Sequence, residues 1–264
     1  MAMKTLALLS APLVALFLAV PVPAQALQCS AQSAQTTTAL VELYTSEGCD
    51  SCPPADRWLS SLGARGYTPD RVVPIALHVD YWDYIGWKDP YAKQIFSARQ
   101  RKMASLARAA VVYTPQVLLQ GRDFRSWGGG GFDQEVAKIN ALPAKARIAL
   151  LLDTRRGDAF EVAADADLLD VLQQADAALY LGAYENKLVS EVKAGENRGK
   201  TLPHDYVVLQ WAGPLEFRGA RLSARQTLPL LPKAVPGHSG VVAFVQNRAT
   251  GEVLQALMLP ACPG

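Results

Sequence analysis

Two cysteines at positions 49 and 52 stand between a strand-like run and a helix-like run, and this arrangement constrains the fold more than any other feature. Residues 39–44 are mostly apolar and predict a buried strand. Residues 53–62 carry apolar side chains at helical spacing, and the run opens on two prolines. Prolines suit a first helical turn, because its backbone N–H groups have no intrahelical acceptor. A strand is therefore expected to end, and a helix to begin, at the cysteine pair.

The rest of the chain divides into two kinds of pattern. Further predicted elements in the first part are a strand over 72–79, a helix from Asp89 to about Ala110, a strand over 111–119 and a helix over 132–142. Alternating strands and helices are typical of an α/β layer. After Pro143 the segments become short, strand-like and separated by turns, which is typical of a β-sandwich. The sequence predicts an α/β domain over 39–143 and a β-rich, sandwich-like domain over 144–264.

The N-terminus predicts export. Lys4 precedes an apolar run over 6–20, and an A-x-A pattern ends at Ala26. These features predict a signal peptide over 1–26. The alternative of a permanent membrane anchor is disfavoured because an apolar run of about 15 residues is short for a span. Residues 27–38 are polar and are expected to be flexible, and the mature protein is expected to be periplasmic or secreted.

The net charge and the cysteine content indicate which partners and which compartment to expect. A formal net charge of +2 with no long block of one sign argues against nucleic acid or an anionic membrane as the main partner, and no stable membrane insertion is expected. Four cysteines allow three pairings, and an oxidising compartment permits disulfides. Cys49 and Cys52 are natural mates by proximity. The hypothesis that follows is a structural disulfide between Cys29 and Cys262.

The chemistry expected of the close pair is thiol–disulfide exchange. A thiol at a helix start feels the positive end of the helix dipole, which lowers its pKa. Zinc is disfavoured because a structural zinc site usually needs a second close pair of ligands. Copper(I), bound by both thiols with His78, is an open alternative, because soft ligands favour it. An inert structural disulfide between Cys49 and Cys52 is a second open alternative.

Several stretches resemble known families. The strand–Cys49-x-x-Cys52–helix unit, followed by Thr114-Pro115 entering a strand, resembles the thioredoxin-like superfamily. The stretches "LYTSEGCDSCPPAD", "HVDYWDYIGWKDP" and "VYTPQVLLQG" resemble exported bacterial proteins of the domain-of-unknown-function family 1223. The first resemblance implies a three-layer α/β fold with a mixed sheet. It also implies that Cys49 attacks, Cys52 resolves the mixed disulfide, Thr114 binds substrate backbone and Pro115 is a cis-proline facing the pair.

Two positions depart from the thioredoxin pattern. Leu43 stands where thioredoxins carry a buried acid, and Gly48 stands where many carry an aromatic residue. If the first two strands are parallel, the segment from His78 lies at the same sheet edge as Cys49. The hypothesis is that Asp80 or His78 serves as the proton acceptor. The alternative is that both are buried polar groups, or that the nearby aromatic residues simply form a lid.

The predicted function is therefore that of an exported thiol–disulfide oxidoreductase acting on a protein or a small thiol, without a dissociable cofactor. Two alternatives stay open: a copper(I)-binding or delivery protein, and a non-catalytic binding module. The stretch "GENRGKTLPHDY" in the second domain is either an ordered polar loop or a partner-binding loop.

Overall fold

The computed structural model describes Met1 and residues 28–154, 158–232 and 234–262, so the predicted signal peptide beyond Met1 lies outside the described residues. The helices are α1 (Pro53–Ser61), α2 (Gln94–Leu106) and α3 (Gly131–Asn140). The strands β1 to β14 are, in chain order, Gln28–Gln32, Ala39–Thr45, Val72–His78, Gln116–Leu119, Arg122–Asp123, Ala146–Asp153, Ala159–Leu168, Ala177–Glu185, Leu188–Glu191, Thr201–His204, Val207–Glu216, Arg221–Pro229, Ser239–Asn247 and Val253–Pro260. None of the helices within these ranges is long and apolar enough to cross a membrane.

Most of the strands belong to one large mixed sheet. Its order is β14-β13-β8-β11-β3-β2-β4-β5, and β3 runs parallel to both β2 and β11. A second sheet, in the order β1-β6-β7-β12, is antiparallel and packs its apolar face against the β8 and β13 side of the large sheet. Strands β9 and β10 form a separate two-stranded hairpin.

The predicted fold class is wrong. The protein is mostly β, with 43% strand and 17% helix, and it is not a three-layer α/β domain followed by a separate sandwich. Strands from the second half of the chain extend the sheet that contains the cysteine-bearing strand, because β11 pairs with β3. Ala76 in β3 donates its backbone N–H to the Tyr206 carbonyl at 2.8 Å, directly before β11 begins.

The apolar core also continues across the predicted boundary between residues 143 and 144. Tyr44 and Phe96 from the first half pack in one cluster with Tyr180 and Phe244 from the second half. Local periodicity identified strands such as β2 and β3, but it carries no information about which strands pair over long range. The division into two domains therefore stays a prediction, while the sheet and the core span its boundary.

Some element boundaries differ from those expected, for local reasons. Residues 28–32, expected to be flexible, form β1 and pair with β6. Helix α2 begins at Gln94 instead of Asp89, because the backbone at Lys93 is extended and Asp89 begins a separate turn, in which the Ala92 N–H donates to the Asp89 carbonyl. The predicted strand and helix around the cysteines are confirmed as β2 and α1.

Both pairs of cysteines form disulfides. Cys29 in β1 is bonded to Cys262, which follows β14, with a Cα–Cα distance of 5.7 Å and a sequence separation of 233 residues. The bond ties the first described strand to the last one. Two disulfides in one chain are typical of proteins in an oxidising environment.

A buried ion pair links helix α2 to the large sheet. The Arg99 Nε atom donates to Glu42 Oε2 in β2 at 2.7 Å, and a second guanidinium nitrogen donates to Glu42 Oε1 at 3.0 Å. The aromatic rings of Tyr180, Trp211 and Phe244 lie around the guanidinium, at 5.2, 5.4 and 4.9 Å from its carbon. Burial by itself would lower the pKa of Arg99, but the charge of Glu42 holds that pKa above its usual value.

We expect Arg99→Met to lower the free energy of unfolding by about 3–5 kcal/mol, because it leaves the Glu42 carboxylate buried without its counter-ion. Adding Glu42→Gln should recover most of this loss, since the neutral amide needs no counter-ion. Urea unfolding of the two variants measures both values.

Arg65→Met is the control. It removes the partner of Asp133 in an ion pair near the surface and should cost less than about 1 kcal/mol. A double variant that is no more stable than Arg99→Met would show that the buried charge is not the cause of the instability.

Candidate active site around Cys49 and Cys52

Three strand ends converge beside the cysteine pair. In the parallel pair β2 and β3, Thr45 lies opposite His78 at the carboxyl end of each strand. The antiparallel strand β4 begins at the same edge, with Gln116 opposite Tyr44. The peptide bond between Thr114 and Pro115, directly before β4, is cis. The sheet therefore brings the turn after β2, the end of β3 and the Thr114-Pro115 segment to one edge.

The Cys49–Cys52 disulfide lies in this turn and is buried. The two Cα atoms are 5.4 Å apart, and the residues are 1% and 0% exposed. Cys52 is the N-cap residue of α1, and its carbonyl accepts the backbone N–H groups of Ala55 and Asp56. The Ser51 hydroxyl oxygen lies 3.4 Å from Cys49 Sγ. The pair stands at the N-terminal end of a helix, where the helix dipole favours a thiolate.

The aromatic residue missing at position 48 is supplied from elsewhere in the chain. A Cβ atom on Gly48 would lie 2.9 Å from Trp82 Cβ and 3.3 Å from Ile85 Cδ1, so only glycine fits there. The Trp82 indole N–H donates to the Thr114 hydroxyl oxygen at 2.8 Å. Trp82 therefore covers the residue before Cys49 and is joined to the segment that precedes β4.

Five buried titratable residues, which we call the carboxylate–histidine cluster, lie beside the turn that carries the disulfide. They are Glu47, Asp56, His78, Asp89 and His204. His78 Nδ1 lies 2.7 Å from Asp89 Oδ2, and His204 Nε2 lies 3.1 Å from Glu47 Oε1. The two imidazole rings meet edge to face with centroids 5.0 Å apart. Among the described residues, neither His78 Nε2 nor His204 Nδ1 has a hydrogen-bond partner.

The cluster shifts the proton affinity of its members. Burial raises the pKa of Asp56, and the charges of His204 and His78 offset only part of that rise. Burial acts to lower the pKa of His78, but the charge and hydrogen bond of Asp89 outweigh it, so the pKa is raised. The pKa of Asp89 is lowered, because His78 and the Glu47 N–H outweigh the effect of burial. His78 and Asp89 therefore form a charged pair, and Asp56 has a higher proton affinity than an exposed aspartate.

The hairpin of β9 and β10 closes over the disulfide from the second half of the chain. At its tip, Asn197 is fully buried and donates from Nδ2 to the carbonyls of Glu47 and Cys49, at 2.8 and 2.9 Å. The Asp50 backbone N–H donates to Glu196 Oε2 at 3.2 Å. At the end of β10, His204 lies against the Glu47 carboxylate. The hairpin thus contacts the cysteine turn at both its tip and its base.

The two predicted proton acceptors lie in different surroundings. His78 belongs to the carboxylate–histidine cluster, whereas the Asp80 carboxylate accepts a hydrogen bond from the Ser97 hydroxyl on α2. His78 was also the third ligand of the alternative copper site. Across the ranges that the structure covers, no group of three or more histidine, cysteine or acidic side chains is placed to hold a metal ion.

Four members of this site were not identified from the sequence. Asp56 follows Cys52 by one helical turn, which is the signal that could have found it. The sequence places Asp89 only at a predicted helix start, and its hydrogen bond from the Glu47 N–H, in the turn before Cys49, cannot be seen from the sequence. Asn197 and His204 lie in the stretch that the sequence predicts as an ordered polar loop or a partner-binding loop, and Asn197 is 148 positions from Cys49.

The chain is similar to proteins of unknown function. The family model described as "Protein of unknown function (DUF1223)" matches residues 40–246. No curated protein matches the chain. A crystal structure of a protein from Agrobacterium tumefaciens is 24% identical, with a TM-score of 0.63, and the match covers 88% of this chain and 98% of that one. HBP35 of Porphyromonas gingivalis is 13% identical, with a TM-score of 0.63 and coverage of 86% and 76%. At these identities the likeness shows the fold alone.

The His78–Asp89 pair predicts a pH-dependent stability. Because the pKa of His78 is raised, the protonated imidazole stabilises the fold. This stabilisation is fully present below the usual histidine pKa of 6.5 and is lost as the pH rises through the raised pKa. Because the pKa of Asp89 is lowered, its carboxylate also stabilises the fold. This stabilisation is fully present above the usual aspartate pKa of 3.8 and is lost as the pH falls through the lowered pKa. We expect the stability advantage of the native protein over His78→Gln/Asp89→Asn to peak near pH 5 and to decline toward pH 9, as measured by urea unfolding.

The control replaces the exposed ion pair of Lys138 and Glu135 by two glutamines, which should leave the pH profile of stability unchanged. A flat difference between the native protein and the His78/Asp89 double variant from pH 5 to pH 9 would contradict the charged pair.

Proposed function

Because the chain belongs to a family of proteins of unknown function, DUF1223, we propose its function from the chemistry of its own residues. The function is thiol–disulfide exchange at Cys49 and Cys52 on an exported protein or a small thiol. The observation that supports it most is a disulfide between two residues at a helix start, backed by the buried carboxylate–histidine cluster.

The proposed exchange has two steps. In the reduced protein, the Cys49 thiolate attacks one sulfur of a substrate disulfide, and the other substrate sulfur leaves as a thiolate that takes up a proton. Cys52 then loses its proton, attacks Cys49 Sγ and releases the second substrate sulfur. The protein is oxidised to the disulfide, and the substrate disulfide is reduced to two thiols by two electrons. The same steps in reverse oxidise a substrate dithiol.

We assign proton exchange with Cys52 to Asp56, and the charge of His78 acts on Asp56. Asp56 follows Cys52 by one turn of α1, and burial moves its pKa toward that of a thiol. Of the two acceptors proposed from the sequence we retain His78, because its charge acts on Asp56. Asp80 is engaged with Ser97.

The proposed compartment is the periplasm or the exterior of the cell. An apolar N-terminal run with an A-x-A pattern supports a signal peptide, and both disulfides are stable in an oxidising compartment. Thr114 and Pro115 are proposed to receive the substrate backbone, because they lie at the sheet edge that carries the cysteine turn.

Single-cysteine variants test the two roles. We expect reduced Cys52→Ser protein, mixed with glutathione disulfide, to accumulate a stable adduct of one glutathionyl group on Cys49, because the resolving thiol is absent. The matched variant Cys49→Ser should form the adduct at least about tenfold more slowly, since its remaining thiol has no role in attack. Mass spectrometry of the intact protein measures both rates. Equal rates of adduct formation in the two variants, or no adduct on Cys49, would contradict the proposal.

Asp56→Asn tests the proton step. At pH 7 we expect resolution of the Cys49 adduct to slow at least about tenfold while its formation is unchanged, because the amide cannot take the Cys52 proton. The free energy of unfolding should not fall, since the raised pKa of Asp56 means that its carboxylate opposes folding at this pH. Single-turnover reaction with glutathione disulfide measures the two steps.

Asp50→Asn is the matched control, because Asp50 is an exposed acid between the cysteines and its loss makes the same charge change. If Asp56→Asn resolves its adduct as fast as the native protein, the proton passes by another route.

A further inference from the structure

We propose that the tip of the β9–β10 hairpin is a cap over the Cys49–Cys52 disulfide, and that Asn197 is the residue that holds the cap closed and so governs access to Cys49. The inference rests on the proposed function and adds to it a step that must precede exchange. The cap is defined as residues 192–200, the turn between the two strands of the hairpin.

The cap is a well-formed turn. The Val192 backbone N–H donates to the Lys200 carbonyl at 3.0 Å, and the Gly199 N–H donates to the Val192 carbonyl at 2.8 Å. Gly195 has a φ of +71°, and a Cβ atom there would lie 3.0 Å from Ile85 Cδ1. The turn can therefore move as a unit about the two strands that carry it.

Asn197 joins this unit to the cysteine turn. Its side chain is fully buried, and both Nδ2 hydrogens are used on the carbonyls of Glu47 and Cys49. Its Oδ1 atom accepts from Lys200 Nζ at 2.8 Å, which orients the amide. Buried carbonyls without donors are costly, so the closed position satisfies the Glu47 carbonyl and gives the Cys49 carbonyl a second donor beside the Cys52 N–H at 3.3 Å.

Contacts around Asn197 complete the closed state. Ile85 packs against Gly48 of the cysteine turn and Gly195 of the cap. The Glu47 carboxylate receives the Trp87 indole N–H at 2.7 Å and lies against His204. With these contacts in place, Cys49 is 1% exposed. An attacking thiolate must approach a disulfide sulfur directly, so exchange requires the cap to open.

The experiment is reduction of the native disulfide by dithiothreitol. One dithiothreitol thiolate attacks a sulfur of the disulfide, the other sulfur leaves as a thiolate, and the second thiol of the reagent closes its ring. Two electrons pass to the protein. We expect Asn197→Asp and Asn197→Ala to be reduced about tenfold to a hundredfold faster than the native protein, because two hydrogen bonds to the cap are lost. Alkylation of the new thiols and mass spectrometry give the rate.

Arg198→Ala is the matched control, because Arg198 is an exposed neighbour in the same turn. It should be reduced at the native rate. The free energy of unfolding of each variant is measured alongside, and the reduction rate of the native protein is followed in low concentrations of urea. Local opening of a cap exposes little surface, so this rate should depend only weakly on urea.

A second measurement needs no variant. Hydrogen exchange of the native protein should show the cysteine turn, 46–52, and the cap, 192–200, opening together at a lower free energy than β2 or β3. The cap is refuted if the Asn197 variants are reduced at the native rate, if native reduction accelerates with urea as steeply as global unfolding, or if the two segments exchange independently.

The two proposals fail in different ways. Reduction by dithiothreitol does not require a physiological substrate, so faster reduction of the Asn197 variants supports the cap even if Cys52→Ser forms no adduct. An adduct on Cys52→Ser with native reduction rates in the Asn197 variants would support exchange and remove the cap.

Discussion

The buried ion pair between Arg99 and Glu42 is the interaction on which the rest of the structure depends. Both charges belong to the first half of the chain, whereas the three rings around the guanidinium belong to the second half. Gln246 of β13 also accepts a guanidinium hydrogen, at 3.0 Å. Separating the halves would remove these partners from a cation that is costly to bury without them. The contact between β3 and β11 is short, with Val207 opposite Ala76, so Arg99 and the apolar core around it add to the β1–β6 pairing and the Cys29–Cys262 disulfide in holding the halves together.

The joined sheet is what allows the second half to contribute to the site. Strand β10 ends at His204, and β11 begins at Val207 beside β3. The hairpin that precedes β11 therefore lies next to the edge where β2 and β3 end. Two independent domains joined by a linker would not fix Asn197 against the Cys49 carbonyl, because domains in one chain usually move relative to each other. The site is assembled from both halves because the sheet is continuous.

Local patterns predicted the local structure, and long-range pairing determined the rest. Strand β2, helix α1 and the cysteine turn follow from apolar spacing and from prolines at a helix start. The fold class did not follow, because an apolar run such as β8 or β13 suits a sandwich and an extended sheet equally well. In the site, position 43 lacks an acid and position 48 lacks an aromatic residue, whereas the structure has a buried acid at Asp56 in the helix and Trp82, from the segment after β3, beside Gly48. Such replacements depend on three-dimensional proximity, which a single sequence does not reveal.

Burial of the disulfide and the proton affinity of Asp56 are linked through the hairpin. Burial raises the pKa of Asp56. His204, which offsets part of that rise, lies on the hairpin itself. Opening of the cap would therefore do two things at once: it would expose Cys49 to a thiol and admit water toward the carboxylate of Asp56, one helical turn after Cys52. Hydration stabilises a carboxylate and lowers its pKa. Closure of the cap after attack would then restore the proton affinity of Asp56 while Cys52 resolves the mixed disulfide, so that access and proton exchange are coupled through one hairpin.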